Sequence, residues 1–320
     1  GWRALHERLG AARLAVTVDS LLDYSERRAR ARLALLEGAH GTAVDRLEGD
    51  GVVDADLPVS VAVVVRGGVL HVDLTGTAPI ARGNVNAPIA VARAATVFVL
   101  RTLLDDDVPT NDGIARAVAL SVPEGCMANA RWPAAVAAGN VELSQRITDT
   151  LFTALAQAWV PVPAQGQGTM NNVTFGGARW SFYETLGGGQ GASARGPGPS
   201  GVHVGMSNTL NTPIESLERA YPLRVERYAL RAGSGGAGGH HGGEGVVRTY
   251  RALERCTVSL LTERRRHAPQ GAQGGGPGAV GRNLLNGREL PAKCRVEMEP
   301  GDQLTIETPG GGGWGGAPSS

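Results

Sequence analysis

Forty-seven of the 320 residues are glycine, and with 18 prolines they set the terms on which this chain can fold. Glycine brings no side chain to a core and loses more conformational freedom on folding than any other residue. A chain this rich in it must place much of its backbone in turns and close approaches. The glycines lack the three-residue period of collagen and cluster between β-branched runs. Hydrophobic residues make up 42%, a globular proportion that supports a sizeable core at this length. The expected class is α+β: a β-rich mixed core with several helices and glycine-rich loops.

Charge excludes several functions. Lys and Arg (31) nearly balance Asp and Glu (30), so there is no electrostatic footprint for nucleic acid or an anionic membrane surface. Cys126, Cys256 and Cys294 lie far apart, with neither metal-type spacing nor an even disulfide set, which points to a reducing compartment, the cytoplasm. The most apolar stretch, Ile89 to Leu104, contains Arg93 and Arg101 and is too short to span a bilayer. No signal peptide is visible. The chain starts at Gly1 in helix-like sequence, which reads as a truncated or processed amino terminus.

Three stretches are expected: a helical segment over 1–50, an α+β core over 51–262, and a glycine-rich carboxyl-terminal β segment over 263–320 packed on that core. In the first, Leu5, Leu9, Leu14, Val18 and Leu22 form a helical stripe that Ala29, Leu33 and Leu36 continue. Arg27, Arg28, Arg30 and Arg32 read as its solvated face, with a phosphate or partner site as the alternative. Val59 to Val65 and Val69 to Leu74 flank Gly67-Gly68 as a hairpin. Asn86-Ala87-Pro88 opens a buried helix through Leu104, and Ala117 to Pro123 reads as a strand. Asn140 is expected to cap a helix to about Ala158, with Leu143, Ile147, Leu151 and Leu155 on one face and Glu142, Gln145, Arg146 and Asp149 on the other. Later strands are expected at 170–175, 180–185, 202–206, 223–230, 246–253, 256–263, 294–298 and 303–308. The tail after Pro309 is expected to be partly mobile.

Familiar signatures are absent or fail in context. There is no Gly-Lys-Ser/Thr of a P-loop and no Gly-x-Ser-x-Gly elbow. Gly233-x-Gly235-x-x-Gly238 matches a dinucleotide fingerprint, yet Gly239-His240-His241-Gly242-Gly243 stands where the phosphate-binding helix must start. Adjacent side chains of His240 and His241 point apart on an extended chain, so a loop role competes with metal ligation. The carboxamide-rich runs Gln165 to Asn172 and Asn208 to Pro213 suit either an amide substrate or turn backbones. Glu184 ends a strand pattern before Gly187-Gly188-Gly189, placed as a base or orienting group. His203 lies in an apolar pattern, as a core histidine or a catalytic one. Glu142 and Arg146 stand at i,i+4, as a helix salt bridge or with Arg146 gripping a substrate carboxylate.

At these segments the chain resembles the hydantoinase B/5-oxoprolinase family, which includes the large subunits of acetone and acetophenone carboxylases. The matching stretches are Asp73 to Thr77, Gly139 to Arg146, Gly168 to Asn172, Tyr183 to Gly189, Asn208 to Pro213, Tyr221 to Glu226, Gly233 to Gly238, Pro300 to Asp302 and Pro309 to Gly313. The resemblance covers the carboxyl-terminal part of such a subunit. It implies an A-type (HyuA-like) ATP-binding partner that uses ATP and magnesium to phosphorylate a small cyclic amide or imide, which the B-type subunit then opens with water. Family members are longer, with His- and Asp-bearing segments upstream that would hold a divalent metal; no metal ligand is assigned in this chain. Members often carry a second His at the position of Gly205, and here only His203 stands. The expectation is that Asn171, Asn172, Asn208, Asn211 and Arg146 bind substrate while Glu184 or His203 orients water, all converging on one polar cleft. A ketone carboxylase subunit and an assembly fragment that binds the A-type subunit are the alternatives.

Overall fold

The computed structural model describes residues 1–316. Two helices open the chain, α1 (Trp2–Leu9) and α2 (Ala11–Ala34). In α2 only Ser25, Ala29 and Leu33 are buried. Its arginines form a solvated face: Arg28 pairs with Asp105 and Asp107, and Arg30 with Glu26. Helix does not extend through residue 50, because β1 (His40–Glu48) is a strand.

Strand β1 pairs antiparallel with β2 (Asp56–Arg66), which turns through Gly67-Gly68 into β3 (Val69–Asp73). Both glycines have positive φ, 61° and 66°, as that tight turn demands. Helices α3 (Ile89–Leu103) and α4 (Asp112–Ala115) form the crossover to β4 (Val118–Ser121), parallel to β3. The sheet order is β1-β2-β3-β4. In β2, Val59, Val61, Val63 and Val65 are buried while their neighbours are less so, the period-2 signature of a one-sided sheet. Helix α5 (Ser144–Gln157) packs over β1 and β2.

The second half builds two facing sheets. Its elements are β5 (Asn172–Gly176), β6 (Ser181–Glu184), α6 (Ile214–Ala220), β7 (Leu223–Arg231), β8 (Gly245–Ala252) and β9 (Cys256–Leu261). There follow β10 (Arg282–Leu285), β11 (Arg288–Leu290), β12 (Lys293–Met298) and β13 (Gln303–Glu307). One sheet runs β12-β9-β5-β6 and the other β11-β10-β13-β8-β7. Val173, Phe175, Val258, Leu260 and Met298 meet Tyr250, Leu304 and Ile306 in a core separate from the first. The rings of Phe175 and Tyr250 lie 5.1 Å apart and tilted, a favoured aromatic geometry. The strand expected at 202–206 is not formed; Val202 alone bridges to Gly188. Among the described residues no helix is long and apolar enough to cross a membrane.

The glycines do more than turn the chain. Residues 309–313 are buried, which corrects the expectation of a partly mobile tail for this stretch; the end of that tail, 317–320, lies outside the described residues. Their successive amides donate to different neighbours: Gly310 to Ala279 O (3.1 Å), Gly311 to Gly243 O (2.9 Å), Gly312 to Gln165 O (2.8 Å) and Gly313 to Gly276 O (2.9 Å). A strand in a sheet bonds to two partners; this segment bonds to several surrounding stretches at once. Buried backbone polar groups must all be paired, and here glycine allows it by letting main chains approach without side chains between them. A methyl group on Gly311 would overlap the carbonyl of Gln190.

Candidate functional site

A π-helical turn over Gly139–Leu143 leads into α5, so Asn140 is not the expected cap and its side chain makes no capping bond. The turn and helix carry Glu142, Gln145, Arg146 and Asp149 on the face away from the apolar stripe, as the period requires. That face is covered by protein rather than water: Glu142 and Arg146 are 0% exposed. Arg146 meets Asp45 Oδ2 and Glu263 Oε2, each at 3.2 Å. Arg264 holds Asp45 at 2.9 Å and Asp149 at 2.7 Å, and Lys293 pairs with Glu263. Three cations face three carboxylates, so the buried network is balanced. Burial works against the Asp45 carboxylate, but Arg146 and Arg264 outweigh it and hold its pKa well below the ordinary range.

The expected Glu142–Arg146 salt bridge is not formed. Burial, with the charge of Glu263 adding to it, pushes Glu142 up to about 8. Its Oε1 accepts from Asn172 Nδ2 at 2.7 Å, from Thr169 Oγ1 at 3.1 Å and from Met170 N at 3.3 Å. Arg146 is sealed inside the network, and Asn172 completes its own bonds by accepting from Tyr183 Oη at 2.7 Å. Tyr183 is half exposed on the outer face of its sheet.

The stretch Glu184–Gly188 gathers several of the expected residues, but as its supports. Asn171 donates to Gln167 Oε1 (2.7 Å) and Leu186 O (3.4 Å), and Asn211 donates to Thr185 O (2.8 Å). Glu184 is buried with both oxygens in use: Thr212 N donates to Oε1 at 2.8 Å, and Tyr250 Oη donates to Oε2 at 2.7 Å. Arg248 pairs with the same Oε2 at 3.2 Å and stacks between Tyr228 and Tyr250. The expected convergence of all seven residues on one cleft is therefore corrected. Carboxamides here satisfy buried carbonyls in chain that has no strand partner to do so.

His203 and Asn208 do share a cavity, of about 380 Å³. Gly205, at φ 59°, forms the tip of a turn closed by Ser207 N donating to Val204 O at 3.1 Å. Gln145 clasps the turn, donating to Val204 O (3.0 Å) and accepting from Met206 N (3.1 Å). A side chain at Gly205 would have to adopt a positive φ and displace the amide end of Gln145, so the turn favours glycine there. The turn sets Ser207 Oγ against His203 Nδ1, while His203 Nε2 is buried with no partner among the described residues. Burial lowers the His203 pKa, and the charge of Glu184 opposes this. Asp149 from α5, Gln190 from the glycine array, and the rings of Phe98 and Phe152 complete the relevant walls. Gln190 and Ser207 are the residues that sequence reading missed. The isolated carboxamide in Gly189-Gln190-Gly191 was the available signal for the first; nothing local marked the second.

Among the described residues no three His, Cys, Asp or Glu side chains converge as a metal site. His240 instead pairs its backbone with Trp314, and their rings lie 6.3 Å apart.

The model of the hydantoinase B/oxoprolinase family matches residues 1–317. The chain belongs to this family. It is 39% identical over 97% of its length to the uncharacterized protein MJ0963 of Methanocaldococcus jannaschii, covering 55% of that protein. It is 44% identical to 5-oxoprolinase 1 of Arabidopsis thaliana over 76% of the chain and 19% of the plant protein. The putative B-type subunit of a D-/L-hydantoinase from a Pseudomonas strain is 30% identical, over 97% of the chain and 56% of that relative. Among solved structures, the ATP-dependent caprolactamase of Pseudomonas jessenii superposes with a TM-score of 0.88 at 22% identity, over 98% of the chain and 58% of the caprolactamase chain. Acetone carboxylase superposes with a TM-score of 0.76 at 18% identity, over 91% and 47%. The α+β fold is thus shared with these two solved structures, and this chain spans little more than half the length of relatives such as MJ0963.

Proposed function

We propose that this chain carries the B-type part of an ATP-dependent cyclic-amide hydrolase, and that ring opening takes place at the cavity holding His203. The observation that carries the reading is the state of that imidazole: one nitrogen fixed by Ser207, the other bare and buried on a cavity wall. With Nδ1–H donated to Ser207 Oγ, Nε2 holds a lone pair, and burial keeps the ring neutral and able to accept a proton. The Gln190 and Asn208 carboxamides line the same space and make no side-chain hydrogen bonds among the described residues, so each can offer the donor and acceptor that a ring amide requires.

An unstrained amide is a poor electrophile. An A-type ATP-binding partner, using ATP and magnesium in the cytoplasm, would convert its oxygen to a phosphate ester. At the cavity, water attacks the activated carbon and loses a proton to His203 Nε2. That proton passes to the ring nitrogen, and the new hydroxyl gives up a second as the carbon–nitrogen bond breaks, leaving an amine and an acyl phosphate from which a further water releases phosphate and the ring-opened carboxylate. Support comes from the family, from relatives named as a 5-oxoprolinase and as the B-type chain of a hydantoinase, and from the fold shared with caprolactamase.

The test is ATP-dependent ring opening by the full-length assembly carrying His203→Ala. Turnover should fall about 10²-fold or more, the usual contribution of a general base, while the phosphorylation step continues. Undiminished ring opening would remove His203. Bicarbonate-dependent carbon–carbon bond formation from a ketone, in place of hydrolysis, would replace the reaction class.

A further inference from the structure

The segment that carries His203 belongs to no strand or helix: Val202 makes a single bridge to Gly188, and α6 starts only at Ile214. The imidazole therefore takes its direction from the turn at 204–207. That turn is closed by one backbone bond, from Ser207 N to Val204 O at 3.1 Å. One such bond is a weak closure, because an opened turn recovers its hydrogen bonds from water. Gln145 adds two more. It is 1% exposed in the first turn of α5, the helix packed over β1 and β2. Its Nε2 donates to Val204 O at 3.0 Å, so one carbonyl serves both the turn's own bond and the bond to the helix. Its Oε1 accepts from Met206 N at 3.1 Å. A carbonyl only accepts and a backbone N–H only donates, so the turn dictates which way the Gln145 carboxamide lies. On the far side Val204 packs on the bare backbone of Gly166, where an added methyl would meet its side chain.

We infer that Gln145 is the positioning residue for His203. It acts through the turn rather than on a reacting atom. By pinning Val204 and Met206 to α5, it carries Ser207 Oγ to His203 Nδ1. The bond made by one ring nitrogen decides which nitrogen bears the proton and which is left for the cavity. With the clasp removed, the turn opens, Ser207 leaves the ring, and the imidazole populates both tautomers. The kinetic consequence rests on the reading of the cavity as the ring-opening site; the effect on the ring itself does not.

Two variants loosen the clasp by different routes, so the test survives if one of them does not fold. Gln145→Met keeps the length of the side chain and removes both bonds. Gly205→Ala leaves Gln145 in the sequence, but its methyl overlaps Gln145 Oε1 and a φ of 59° strains alanine. Ser207→Ala removes the ring's partner outright and serves as the reference. Ring-nitrogen NMR of the full-length assembly, with isotopically labelled histidine in this polypeptide, reads the tautomer; the difference from His203→Ala isolates the His203 signals. The parent should hold one tautomer, with the proton on Nδ1. Ser207→Ala and both clasp variants should move the signals towards a mixture. In the clasp variants kcat for ATP-dependent ring opening should fall about tenfold or more with KM little changed. Signals that stay with the parent in Gln145→Met and Gly205→Ala overturn the positioning role, and the cavity reading then stands as long as His203→Ala still cuts turnover. Signals that shift while ring opening continues undiminished keep the positioning role and remove His203 from the chemistry.

Discussion

Asn172 donates its amide to Glu142 at 2.7 Å in a place sealed from water, where burial pushes the Glu142 carboxyl up to about 8. Two residues 30 positions apart in sequence, one on a helix entry and one on a strand, thus lock the α5 layer to the β12-β9-β5-β6 sheet.

This pair makes stability depend on pH in a predictable direction. Glu142 titrates at about 8 in the folded chain against an ordinary value of 4.5, so between these the folded state holds a proton that the unfolded state has released. Its contribution is present below about 4.5 and is lost as pH rises towards 8, at about 1.4 kcal/mol per pH unit. Glu142→Gln keeps the acceptor for Asn172 and removes the titration. Denaturant unfolding at pH 5, 6, 7 and 8 should show the variant gaining on the parent at each step. Stability curves that stay parallel across this range would mean that Glu142 is ionised in the fold.

The His203 site predicts a pH profile. Because burial depresses its pKa, the acid limb of kcat/KM for ring opening should lie below the ordinary histidine value of about 6.5. The charge of Glu184 counters that depression, so Glu184→Gln should move the limb to still lower pH, and His203→Ala should abolish it. Glu184 touches neither the cavity wall nor a reacting atom in this arrangement; its effect passes through the imidazole and the Arg248 pair. A limb that ignores Glu184→Gln would separate the two residues.

Much of the architecture was legible because it obeys simple periods. The valines of β2 alternate, Gly67-Gly68 marks a hairpin, and the stripe of α5 runs at 3.6 residues. Asn286-Gly287 was an equally good turn signal between β10 and β11, with φ of 50° and 79°, and went unread. The polar face of α5 misled for a physical reason. Amphipathic period shows which residues share a face, but not whether water or protein covers it, and Glu142, Arg146 and Asp149 are covered by strands and loops from across the chain. The asparagines misled in a related way: the same donor and acceptor pair that could grip a substrate amide also satisfies a stranded carbonyl, as Asn171 and Asn211 do. Ser207 meets His203 only because the turn at Gly205 closes on Gln145, whose bond from Met206 spans 61 residues of sequence that no local pattern bridges.

The glycine array links stability to the site. Gly311 sits where an added methyl would overlap the Gln190 carbonyl, and that oxygen accepts from Gly243 N at 2.8 Å, so backbone rather than a pliable side chain would have to move. Gly311→Ala should therefore destabilise by more than about 4 kcal/mol, the range reserved for changes that disrupt packing outright. Gly176→Ala, in β5, places its methyl in open space and should cost less than about 1 kcal/mol. Thermal unfolding of the two variants side by side gives the comparison. Because Gln190 also lines the cavity, any Gly311→Ala protein that does fold should bind cyclic amides more weakly than Gly176→Ala. Equal stability and equal binding in the two would show that the array tolerates side chains, and that the abundance of glycine answers to something other than close backbone packing.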